Sequence, residues 1–166
     1  MLGPAILFYD VILSIHIMAI VVAFGVTFAY PILGVYVTRE HPRFLPALHG
    51  AQERIGKFLI TPAATIALLA GFYLASDRDY MGKVWVIVPL IILIALLGLG
   101  GAFFTPSERR AAELAARDVA AAGPDGPVTL SPEYEALSAR VAKMGALASV
   151  LVLVAIFFMA AKPGGY

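Results

Sequence analysis

Three histidines are the residues in this chain best suited to chemistry, and they sit in two very different settings. His16 lies within "SIHIMAIVVAFG", inside a run that otherwise excludes charge. An ionisable group in such a run is a functional suspect, and a neutral imidazole there has three uses. It can ligate haem iron or a metal, handle a proton or small ligand, or join two helices by a hydrogen bond. His41 and His49 belong instead to the polar stretch "REHPRFLPALHGAQERIGK". His49 and Glu53 are spaced to share one helix face, which offers two metal-ligand types, with His41 as a third. The stretch reads "HGAQE" and lacks the H-E-x-x-H spacing of zinc hydrolases, so a hydrated interfacial pair is the alternative to a metal site.

On a continuous helix, Tyr9, His16, Ala23, Thr27, Tyr30 and Gly34 fall on one narrow stripe. Polar side chains beside small ones mark a face turned toward protein, because lipid leaves polar atoms unpartnered. Asp10 lies about 120° around the helix from His16 and reaches it as an orienting carboxylate only with help from another turn or helix. The chain has no cysteine, which excludes thiolate ligation, disulfides and thiol nucleophiles. Met18, Met144 and Met159 read as packing groups.

The elements that must carry these residues are set by composition. The chain is 61% hydrophobic and only 14% charged, with a mean hydropathy of +0.89, so it is read as a membrane protein. Its formal charge of +1 and the lack of a basic tract interleaved with aromatics give no support to nucleic-acid binding. Runs from Val11 to Thr38, Phe58 to Ser76, Val84 to Thr105 and Met144 to Ala161 are free of charge and long enough to cross a bilayer core of about 30 Å. The expected architecture is all-α: a polytopic bundle of four transmembrane helices in a single domain. The spans are placed at about 6–37, 57–76, 84–105 and 141–161, with a partly helical connection over 106–140. The start lacks a basic n-region and its apolar run is longer than a cleavable signal, so it reads as a retained helix.

Pro31 and Pro89 are expected to bend their helices, whereas Pro62 is placed near a first turn. "TPSERR" reads as a capping box, with Thr105 as cap and Glu108 closing it; Ser131 repeats the start signal before Pro132. "GPDGP" is a turn. Trp85, Tyr73 and Tyr80 read as aromatic anchors at the interface. The connections around residues 39–57 and 109–143 hold nine basic residues against three elsewhere. That bias places them in the cytoplasm and both termini outside, in a cell inner (plasma) membrane. The partners implied are the lipid bilayer and either copies of the same chain or a membrane-complex protein docked on the cytoplasmic connection.

The layout, with "ILSIHIMAIVVAFG" in the first helix, a basic first connection and four spans, resembles the DUF2269 group of small bacterial integral membrane proteins. More distantly it looks like the four-helix membrane folds of the copper-resistance D type and the HemJ type of protoporphyrinogen oxidase. In those families a first-helix histidine is associated with haem or metal, and the resemblance implies that role, with haem b as cofactor, for His16. The charged groups expected within HemJ-type helices are missing from the spans here, which departs from an oxidase. The resulting expectation is a haem-binding redox subunit. The alternatives are a non-enzymatic accessory membrane protein with a cytoplasmic partner and a small oligomeric channel.

Overall fold

The computed structural model describes residues 8–165, so residues 6 and 7 of the expected first span lie outside the described residues. The chain is all-α and forms four long rods. The first, Phe8–Glu40, joins α1 (Phe8–Phe24) to α2 (Tyr30–Glu40) through a 3-10 segment at Gly25–Ala29. The second, Pro42–Asp77, contains α3 (Leu45–Ile55) and α4 (Thr61–Asp77). The third, Val84–Ala121, contains α5 (Val84–Leu99) and α6 (Thr105–Ala121), and the fourth is α7 (Pro132–Ala161). All four are long and apolar enough to cross a membrane.

The rods outrun the bilayer. A helix of 38 residues, the length of the third rod, measures about 57 Å, well beyond a hydrocarbon core of about 30 Å. The polar stretches at 42–55 and 105–121 are therefore not loops between spans; they continue the helices into a polar head. They stay helical because α3 and α6 pack on each other. Leu45, Ala111, Leu114 and Ala115 form a buried cluster with Tyr134 of α7. Burying Leu45, which is 1% exposed, contributes about 2 kcal/mol.

Within the spans α1 packs on α4, and α5 packs on both α4 and α7. The core there is rich in alanine: Ala19, Ala23, Ala63, Ala64 and Ala67 meet Phe24, Ile92, Leu93, Leu96 and Val152. Side chains this small let helix backbones approach, which is what drives association where lipid is as apolar as leucine. At the end remote from the head, Trp85 is buried with Ala75 and Val86. Its indole N–H donates to the Gly165 carbonyl at 3.0 Å and Lys162 lies over its ring, so Trp85 ties the C-terminal tail down and is not a lipid-facing anchor.

Two of the helix transitions share one device. The segments "GKFLITP" and "GGAFFTP" each form a wide π-turn, at Gly56–Ile60 and Gly100–Phe104. In the first, the Gly56 carbonyl accepts both the backbone N–H and the hydroxyl of Thr61, the latter at 2.9 Å. In the second, Gly100 accepts from Thr105 in the same way, also at 2.9 Å for the hydroxyl. The physical cause is the next residue, Pro62 or Pro106, which lacks an N–H and whose ring crowds the carbonyl four residues back in a normal α-turn. Widening the turn relieves the crowding, and the threonine hydroxyl supplies a further donor. Thr105 therefore does not start a new helix as its capping-box reading supposed. Pro31 stands at the first turn of α2 after the 3-10 break, and α5 continues through Pro89.

The 122–131 turn is closed by Asp118, whose Oδ2 accepts the Ser131 N–H at 2.8 Å. Gly123 leaves α6 with φ +68, a conformation that glycine adopts without strain. Ser131 caps α7 as its sequence indicates, accepting the Tyr134 N–H. The Ser131 backbone bond, with a hydroxyl bond from Ser131 and Arg117 beside it, holds the Asp118 carboxyl below its ordinary range. A depressed carboxylate stabilises the fold above its unfolded-state pKa and loses that contribution as pH falls through its folded value. Asp118→Asn is thus expected to cost about 1 kcal/mol at neutral pH. The gap from wild type should close as pH falls below the ordinary aspartate range and through the depressed folded-state value, which thermal unfolding in detergent across pH would show.

Candidate functional site

His16 sits where α1 crosses α4. Its Nδ1 is 2.7 Å from the Ala67 carbonyl, and a carbonyl only accepts, so Nδ1 carries the hydrogen and donates. The crossing is close because the second helix presents almost nothing there. Ala67 is 0% exposed, and a Cβ on Gly71 would stand 2.8 Å from His16 Cε1 and 3.2 Å from Nδ1. Gly71 is the notch that admits the imidazole. The orienting acceptor is thus a backbone carbonyl of the second rod and not the Asp10 carboxylate; the Asp10 carbonyl accepts from Ser14.

The stripe expected around His16 does not survive the 3-10 break at Gly25–Ala29, which changes the helical phase. Tyr9 lies under the Arg78 guanidinium at 4.4 Å. Thr27 returns its hydroxyl to the Phe24 carbonyl at 2.6 Å. Tyr30 turns toward the head, where its hydroxyl is buried without a hydrogen-bond partner among the described residues and within the electrostatic reach of Glu108.

A second polar centre lies in the head. His49 Nδ1 donates to Glu108 Oε2 at 2.6 Å, and His49 Nε2 pairs with the Tyr134 hydroxyl at 2.9 Å. The hydroxyls of Ser138 and Thr38 lie close enough to Tyr134 to act on its phenol. Three rods supply the bonded side chains, His49, Glu108 and Tyr134, and the first brings Thr38 near Tyr134. His49, Glu108 and Tyr134 are all buried. Burial pushes the Tyr134 phenol up and so keeps it protonated. The hydroxyl, being donor and acceptor, matches either protonation state of the imidazole.

Glu53 does not join His49. Its Oε1 accepts from Lys57 at 2.6 Å, and that bond, with the charges of Lys57, Arg109 and Arg54, keeps its carboxyl below the ordinary range. His41 faces Tyr36, its Nε2 3.1 Å from the hydroxyl. Among the described residues no group of three or more His, Asp or Glu side chains is arranged to hold a metal ion. With both nitrogens of His49 engaged, a metal there would have to displace Glu108 or Tyr134.

In sequence Glu108 matches a cap and Tyr134 carries no motif. The available signal was register: Glu108 lies in phase with Ala111, Leu114, Ala115 and Asp118, and His49 with Leu45 and Gln52, all buried. An acid and an imidazole placed on the buried faces of two amphipathic helices require each other.

Fold and burial together define an integral, multi-pass, all-α membrane protein. No protein-family model matches the chain, and neither a curated protein nor a solved structure does.

Proposed function

We propose that this is a membrane haem-binding subunit in which His16 holds the iron through Nε2. The observation that carries the reading is the Nδ1 hydrogen bond to the Ala67 carbonyl. Donation of one ring N–H to a carbonyl fixes the tautomer, leaves the Nε2 lone pair for a metal and raises its basicity. That donor would suit the iron of a haem b. His41 and His49 lie in the head and do not supply a second. Without cysteine the group is held by ligation and packing alone. When bound, haem would supply a one-electron couple; the chain would supply orientation through Ala67 and the low-dielectric surroundings of the spans. The concentration of Arg and Lys in the head, nine against three elsewhere, favours a cytoplasmic position for that end and outside positions for both termini.

The same contact supports a second reading, a non-enzymatic accessory protein in which His16 only joins rods. An absorption spectrum of protein purified after expression with ample haem, with iron quantified, separates the two. The expected result is a stoichiometric Soret band that His16→Ala and His16→Gln both lose while His49→Ala keeps it. Glutamine retains a donor for Ala67, so loss of the band in a folded His16→Gln protein reports ligation and not collapse. Wild-type protein without the band overturns the haem reading in favour of the accessory one.

A further inference from the structure

The head meets the spans at the π-turn of the second rod, and the charges there are unevenly matched. Arg54 and Lys57 are three residues apart on one helical face, and both act on Glu53. Arg109, on the third rod, lies within electrostatic range of the same carboxylate. Arg110 stands beside Arg109, and both pair with Glu113 at 3.4–3.5 Å. Four cations thus face two carboxylates across two rods, a local net charge of +2.

Their surroundings select the ligand. Lys57 is followed at once by Phe58, 78% exposed, and Leu59, 42% exposed, which begin the lipid-facing surface of the span. The cations are accessible: the Lys57 side chain is 47% exposed and that of Arg109 71%. Exposed cations on two neighbouring helices directly above apolar surface match one chemistry, a phosphate attached to acyl chains. A soluble anion has no use for Phe58 and Leu59, and an apolar partner has none for the surplus charge.

We propose that Arg54, Lys57 and Arg109 form a headgroup site for an anionic phospholipid at the junction of the second and third rods. Arg109 and Lys57 engage the phosphate oxygens, Arg54 adds field, and the acyl chains run down past Phe58 and Leu59. Glu53 opposes binding by occupying Lys57.

The test measures retention of fluorescent phosphatidylglycerol and phosphatidylcholine by the full chain in detergent. Wild type is expected to hold phosphatidylglycerol at least about tenfold more tightly than phosphatidylcholine, and the combined R54Q, K57Q and R109Q variant to lose the preference. Glu53→Gln, which frees Lys57 and raises the local charge, is expected to strengthen the preference. A merely structural role for these cations would not produce that opposite sign. Glycerol phosphate should fail to compete; full competition by it would overturn the lipid source in favour of a soluble phosphate ligand. Equal retention of both lipids by wild type, or an undiminished preference in the triple variant, would overturn the site itself.

Discussion

Glu108→Ala lowers the stability of the bundle by about 2–4 kcal/mol, because it strands the His49 Nδ1–H in a buried place. The pair spans rods two and three at 2.6 Å, and Tyr134 joins rod four to it at 2.9 Å, so the loss is felt by three rods at once. Glu108→Gln keeps an acceptor and should cost roughly half as much. His49→Ala, which orphans Glu108 and Tyr134 together, is expected to cost as much as Glu108→Ala, and the double variant less than the two added. Unfolding of the purified protein by denaturant or heat measures each value. A Glu108→Ala protein within about 0.5 kcal/mol of wild type, the scatter of ordinary surface changes, would show that the pair does not hold the head together.

The second large effect is expected at Gly71. Alanine is ordinarily the better helix former by about 1 kcal/mol, yet Gly71→Ala should destabilise by about 1–3 kcal/mol. The new Cβ would lie 2.8 Å from His16 Cε1, so the ring must leave its notch and surrender the bond to Ala67. The decisive comparison is a double-mutant cycle. In a His16→Ala background the obstacle is gone, and Gly71→Ala is expected to be neutral or stabilising. If Gly71→Ala is equally harmful with and without the imidazole, the notch does not belong to His16.

The spans were legible because charge is excluded from hydrocarbon, and four uncharged runs of bilayer length leave little choice. The head was only half legible. Its helices were visible in α3 and α6, but that they continue the spans depends on Pro62 and Pro106 being absorbed by π-turns, and proline ordinarily argues for a boundary. Thr105 and Glu108 matched a capping box, yet the helix was already under way and their side chains took other partners. His16 stands out in sequence as the histidine of the first span, but its partner is a carbonyl, which every residue carries and no sequence distinguishes. Glu53 was matched to His49 by spacing, when the stronger local pull came from Lys57 four residues on.

The paired π-turns have a consequence for how the two ends of the molecule relate. Each wide turn in effect inserts one residue into an α-helix, and one residue is a rotation of about 100°. The lipid-facing and core-facing sides of the second and third rods are therefore out of step with the sides those same rods show in the head. Because both rods carry the insertion, each with its own Gly, Thr and Pro, the α3 and α6 faces bearing His49 and Glu108 are turned relative to the spans yet still meet each other. The two turns work as matched phase shifters: each rod is built to one angular setting for lipid and another for its neighbour.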